Sequence, residues 1–341
     1  MSSSNSIQVF DSSLRIPRYV LNALQGNECR SNCALPLILK SQDLESRGQT
    51  PPHRQIWVVC SSVNSSGAPS VELMLCVTEG YIDSYPVFIY NHLPPDLLTR
   101  GYIQPRMAAL ANALAEALNG NLARVYAVYG QDPLAEAFAW NWTNITGIGN
   151  LVDKPYYAAK LSYCTRQTLR SRFLPLPDDL IPEIRLANDE DVREVAQCCH
   201  GFASDSAPYI LTRDGALREA RYLVHNQQVW VHRITRRGTT ESSIASIVAC
   251  SRNSQNNATI TKVYTSPDWR RLGCAERLVR RVCEDLLQTK TTVSLFVAHD
   301  NPGATAVYSR VGFVGLGQGE EPLETWTEIG FHPQSVRLGH W

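Results

Sequence analysis

The segment Val263-Tyr264-Thr265-Ser266-Pro267-Asp268-Trp269-Arg270-Arg271-Leu272-Gly273-Cys274-Ala275 runs off a strand, through a tight turn and into a helix. Free backbone N–H groups at a helix start, aided by the helix dipole, bind phosphate. Small residues such as Gly273 and Ala275 let a phosphoryl group approach the backbone closely. Arg270 and Arg271 add positive charge. Downstream, Val293 to Val297 reads as another strand, followed by Asn301-Pro302 and a helix carrying Ala304 and Tyr308, closed by Gly312-Phe313.

These two segments resemble motifs A and B of the GNAT superfamily of N-acetyltransferases. Arg270 to Ala275 is similar to its Arg/Gln-x-x-Gly-x-Gly/Ala turn, and the Val-Tyr-Thr-x-Pro lead-in is similar to the FR47-like branch. The resemblance implies acetyl-CoA as co-substrate, no metal, and direct transfer to an amine. It implies that Val263 and Thr265 pair their backbone with the pantetheine arm and that an N–H near Tyr264 polarises the thioester. Arg270, Arg271, Leu272, Gly273, Cys274, Ala275 and Glu276 then hold the pyrophosphate. Asn301 contacts the pantetheine from across the splay between the fourth and fifth strands of that fold.

The resemblance also points to Tyr308 as general acid. A phenol of reference pKa about 10 and a thiol of about 8.5 are matched well enough for a proton to reach the departing thiolate. Cys274 sits in a variable slot of the turn, and direct transfer needs no acyl-enzyme. The general base is expected among Glu320, Glu321, Glu324 and Glu328, with His299 and His232 as lesser options. The expected acceptor is a small-molecule primary amine, with a peptide or protein amine, or acyl-CoA binding without turnover, as alternatives.

The elements that must position these residues follow from periodicity. Val229 to Ile234, Ile244 to Ser251 and Thr259 to Thr265 read as antiparallel strands. Ala275, Leu278, Val279, Val282 and Leu286 give a helix with one apolar face. Glu183 to Leu186 starts this half, followed by a helix capped at Asn188 or Asp189 and another over Arg213 to His225. The first half reads as strands at Ile56 to Ser62, Val71 to Thr78 and Val87 to Asn91. A helix follows over Pro105 to Leu118, a strand at Arg124 to Tyr129, a helix from Pro133 and a strand at Tyr156 to Cys164. Phe138-Ala139-Trp140-Asn141-Trp142 is read as core or as a pocket wall.

The fold class is therefore α/β with a mixed, mostly antiparallel sheet, a splay between its fourth and fifth strands and flanking helices, built twice in tandem. The expected organisation is an N-terminal arm at 1–54, a degenerate GNAT-like domain at 55–165 that shapes the acceptor site, a proline-rich linker at 166–182 and the catalytic domain at 183–341. A length of 341 residues suits two hydrophobic cores.

Composition narrows the function classes. With 44% hydrophobic and 19% charged residues the chain is ordinary for a globular protein, and 32 basic against 32 acidic residues give no sign of a nucleic-acid or membrane partner. A monomer or homodimer in the cytoplasm is expected, since the first residues have no signal-peptide character. The ten cysteines read as buried thiols. Neither Cys29 with Cys33 nor Cys198-Cys199-His200 has zinc-site spacing.

Overall fold

In the computed structural model, which describes residues 5–50, 54–64 and 66–340, the chain divides into two units. One comprises Met1–Ala159 together with Glu324–Trp341, the other Lys160–Leu323.

In the first unit, β1 (Ser6–Phe10), α1 (Arg18–Gln25) and α2 (Leu35–Ser46) precede an antiparallel run of β2 (Ile56–Val63), β3 (Pro69–Val77) and β4 (Val87–Asn91). The stretch 1–54, expected as an arm, is thus largely built into the unit: β1 pairs with β2, and Val20, Leu24, Leu35 and Ile38 are buried. Val20 and Leu24 lie at i,i+4 on α1, but both apolar stretches are short and stand amid Ser, Asn and Gly, which reads as an arm. Helix α3 (Arg100–Ala117) starts before Pro105 because Thr99 caps it, accepting from the N–H of Tyr102. Then come β5 (Ala127–Gln131), parallel to β4, and α4 (Asp132–Thr146). Phe138 and Trp142 stack with ring centroids 5.6 Å apart inside the core, while Trp140 is exposed.

Strand β6 (Tyr157–Cys164) runs across the boundary at Lys160, and the second unit goes on with β7 (Leu180–Leu186), α5 (Val192–Ser204), α6 (Arg213–His225), β8 (Val229–Arg236), β9 (Ser242–Ala249) and β10 (Arg252–Asn253). It continues with β11 (Asn257–Ile260), β12 (Lys262–Thr265), α7 (Cys274–Leu286), β13 (Thr292–Ala298) and α8 (Pro302–Val311). The run expected as one strand, Thr259 to Thr265, is two. Thr261 interrupts it: its N–H donates to the Ala249 carbonyl at 2.8 Å and its hydroxyl bonds that of Ser251 at 2.9 Å. Strand β11 pairs parallel with β13, whereas β12 pairs antiparallel with β9 in the order β12-β9-β8-β7. Helix α7 covers the sheet with Cys274, Leu278, Val279, Val282 and Cys283. Phe313 packs on Tyr308 just beyond α8.

The chain then returns to the first unit. Strand β14 (Glu324–Gly330), which the sequence reading placed in the second domain, pairs antiparallel with β5 from Trp326↔Gln131 to Gly330↔Ala127. The reason is burial: β5 is buried along its whole length, so its free edge needs a partner, and Trp326, Ile329 and Phe331 fill that unit's interior. No helix among the described residues is long and apolar enough to cross a membrane.

Phe331 is fully buried and meets Phe138 edge-on at 6.5 Å. Phe331→Ala is expected to destabilise the first unit by about 3–5 kcal/mol, read by denaturant unfolding; a shift under 1 kcal/mol would sink the claim that this strand belongs to that core.

Candidate functional site

The last parallel pair between β11 and β13 is Ile260↔Leu295. Beyond it β12 follows β9 as an edge strand while β13 runs on to Ala298. The expected splay is therefore present, and it leaves two strand edges, Lys262–Thr265 and Phe296–Ala298, facing a gap. Side chains along β12 alternate. Val263 packs into the core that holds α7. Tyr264 presses on α5, where a Cβ on Gly201 would lie 2.3 Å from its hydroxyl. Ser246 of β9 steadies the edge, donating to the Tyr264 carbonyl at 2.8 Å and sharing a hydrogen bond with the Thr265 hydroxyl at 3.0 Å.

After Pro267–Trp269 the chain enters the expected turn. Arg271 and Gly273 both adopt left-handed backbone, with φ of 65° and 73°. Gly273 is the N-cap of α7 and supplies no side chain to cap it, and the first intrahelical bond runs from Arg277 N–H to Gly273 carbonyl at 3.0 Å. Cys274, Ala275 and Glu276 therefore present their N–H groups at the positive end of the helix. The arrangement suits a diphosphate.

Arg277, which sequence reasoning passed over, holds the turn in shape. Its guanidinium donates to the carbonyls of Leu272 at 2.8 Å, Leu174 at 3.1 Å and Pro175 at 2.8 Å. All three acceptors are neutral carbonyls, so its charge adds to the field of the helix start. Burial lowers its pKa somewhat. Arg270 turns elsewhere: it donates to the Thr265 carbonyl at 3.2 Å, lies 5.8 Å from the centroid of the Tyr264 ring and reaches Asp205 at 3.8 Å. Leu272 packs against the small cluster around Cys274. Cys274 is buried, and burial pushes its thiol up against the opposing pull of Arg277, which leaves it a poor nucleophile.

A buried ionic knot ties α7 to α8. The Glu276 carboxylate meets Arg280 at 2.9 Å and Arg310 at 2.7 Å, and Arg280 also donates to the Arg170 carbonyl at 2.8 Å. Burial alone raises the Glu276 carboxyl, but the hydrogen bonds from Arg280 and Arg310 outweigh it and hold the group below its ordinary range. Glu276 thus offers a ligand its N–H and keeps its carboxylate for the helices. Their i,i+4 spacing on the apolar face of α7 is a signal that the sequence carried.

On α8, Asn301 caps the helix by accepting the Ala304 N–H at 2.9 Å, which fixes its side chain and leaves its amide NH₂ to meet a ligand. Tyr308 is 7% exposed, packs on Phe313 at 5.7 Å, and makes no side-chain hydrogen bond among the described residues. Burial, with the nearby Cys283, pushes its phenol well above the usual value. It stays protonated, and its match to a departing thiol of about 8.5 is poorer than the ordinary phenol value suggested.

The expected bases do not gather here. Glu320 accepts from the N–H groups of Gly315 and Gly317, which fixes its own loop, and Glu321 is exposed. Glu324 pairs with Arg30 and Glu328 is fully buried on β14, both in the first unit. His299 is exposed beyond β13. His232, on β8, is fully buried beneath the start of α7.

The first unit has a counterpart of the gap, and it is filled. Strands β4 and β5 pair only at Val87↔Val128 and Phe88↔Tyr129. Beyond that, the Asn91 amide donates to Gln131 Oε1 at 2.6 Å and Arg30 donates to the carbonyls of His92 and Leu93 at 3.1 and 2.8 Å. The start of α3 is capped by Thr99 and has no left-handed turn before it.

Residues 190–313 match the family model of the acetyltransferase (GNAT) family. Over its whole length the fold is similar to that of a GCN5-related N-acetyltransferase from Sphaerobacter thermophilus, at 14% identity and a TM-score of 0.55 over 98% of each chain. It is likewise similar to a Drosophila protein, at 15% identity and a TM-score of 0.58 over 97% of this chain and 99% of the other. A search among curated proteins finds no match.

Burial first, and the charge of Arg277 second, pull the pKa of His232 from 6.5 down to about 4. The folded state holds it neutral, so its contribution is complete above pH 6.5 and is lost as pH falls towards 4, where the unfolded chain takes up the proton. A loss of up to about 3 kcal/mol over that window is expected. Denaturant unfolding at pH 7 and pH 4.5 measures it, and an unchanged pH dependence in His232→Leu would refute the assignment.

Proposed function

We propose, with the GNAT acetyltransferase domain of residues 190–313 as premise, that the second unit transfers the acetyl group of acetyl-CoA to a primary amine of a small molecule by direct attack in a ternary complex. The observation that carries this reading is the parting of β12 from β13 immediately ahead of the uncapped start of α7, with Tyr308 on the helix that follows β13. The Val-Tyr-Thr-x-Pro lead-in supports the FR47-like branch.

In this mechanism the N–H groups from Arg271 to Glu276 hold the pyrophosphate, steadied by Arg277, and Arg270 guards the mouth of the turn. The backbone of Val263 and Thr265 pairs with the pantetheine arm, and the Asn301 amide reaches it from β13's side. The neutral amine attacks the acyl carbon, and a strand N–H near Tyr264 holds the oxyanion. As the intermediate collapses, the C–S bond breaks and Tyr308 gives its proton to the thiolate, while the proton lost from the amine nitrogen restores the phenol through solvent. The first unit is a degenerate copy that binds no coenzyme, because its gap is filled by Asn91, Gln131 and Arg30. We place the protein in the cytoplasm as a monomer or homodimer, with neither nucleic acid nor membrane as partner.

Two measurements test this. Calorimetry with acetyl-CoA is expected to give one site per chain; none refutes the reading, and two refute the degeneracy of the first unit. Thiol release from acetyl-CoA across a panel of amino acids, polyamines and amino sugars is expected to find an acceptor, and Tyr308→Phe to lower kcat by about 10²-fold or more with acetyl-CoA affinity little changed. Binding without turnover would favour a regulatory protein, and turnover only with peptides a protein acetyltransferase.

A further inference from the structure

The residue at which the strand leaves β13 carries a buried charge. Lys262, the first residue of β12, sends its ammonium to Glu219 on α6 at 2.6 Å and lies 4.9 Å from the centroid of the Phe202 ring on α5. Both ionic side chains are under 10% exposed. On β12 the alternation puts Lys262 on the same face as Tyr264, against α5 and α6, opposite the α7 face that Val263 occupies. A buried pair of this kind is weak evidence for stability, because desolvating two charges consumes most of what their attraction returns. Apolar residues would pack the spot as well.

Geometry gives the pair another role. The chain on one side of Thr261 is tied to β13 and on the other to β9; Ser246 of β9 anchors the far end of β12 at Tyr264 and Thr265, and Lys262 anchors its near end. Lys262 ties that end to two helices at once, with a directional charged bond where a methyl group would tolerate sliding. We propose that Lys262 and Glu219 are positioning residues for the transfer: they set the width of the gap at the acyl end. This rests on the acetyl-transfer reading and deepens it.

Removing one partner leaves the other charge buried without its counter-ion, so the decisive variant is the double change Lys262→Met with Glu219→Leu. It is expected to fold with a melting temperature near that of the wild type and to bind acetyl-CoA within about threefold, since the diphosphate turn lies on the α7 side. Its kcat with the best amine of the panel is expected to drop roughly 10–100-fold, the size of effect that a small misplacement of reacting groups causes, and Lys262→Arg to keep most of the wild-type kcat. A double variant with kcat within twofold of wild type overturns the inference. So does one in which kcat, acetyl-CoA affinity and melting temperature fall together, or one that does not fold, because the pair then holds the unit and not the gap. A wild-type chain that binds no acetyl-CoA, or releases no CoA with any amine, removes the transfer reading and this inference with it. Wild-type turnover beside an unchanged double variant removes the inference alone.

Discussion

Everything at the candidate site depends on one strand being shared between two neighbours. A strand that paired continuously with β13 would have its backbone N–H and C=O groups satisfied on both edges and nothing to offer a ligand. Here the hydrogen bonds of Thr261 to β9 and Ser251 end the parallel ladder at Ile260, so the next residues pair on one edge only. The exposed edge is a template for an extended partner, in the manner of strand addition. The cost of an open edge is met by surrounding it with fixed structure: Ser246 beneath β12, α5 and α6 on one face, and α7 on the other.

The same economy governs the turn before α7. Two residues in left-handed backbone, one of them arginine, are unfavourable without support. The guanidinium of Arg277 supplies it through three carbonyls, while the Glu276 knot fixes α7 against α8. The free amides at the start of α7, the cap of α8 and the Tyr308 phenol are thereby held in one frame. A polar group inside such a frame is costly unless fully paired, and Glu276, Arg280 and Arg277 all are paired.

Much of this was legible in the letters. The turn, its glycine, Asn301 and Tyr308 lie in single contiguous segments, and local sequence encodes local backbone. The strands and helices of the second unit were readable for the same reason: their apolar periods are long and regular. What escaped depends on contacts distant in sequence. Nothing in Thr259 to Thr265 reveals that the run changes partners midway, because both halves are β-rich. Glu219 falls on the buried stripe of Ala216, Ala220 and Leu223, a visible anomaly, but its partner Lys262 is known only once the helices are packed. Glu324 and Glu328 were read as part of the second domain because a strand's sequence does not state which sheet it joins.

Strand β14 also governs how the protein is made. The first unit has its first nine strands and helices in hand once Thr146 has been synthesised, yet its sheet lacks the neighbour of β5 until Phe331 emerges. Throughout synthesis of the second unit, β5 waits with one side unpaired, and the nascent chain must keep that side from pairing wrongly. The second unit is in effect an insertion inside the first. Its sequence can be contiguous and fold early, while the domain that begins first is finished last.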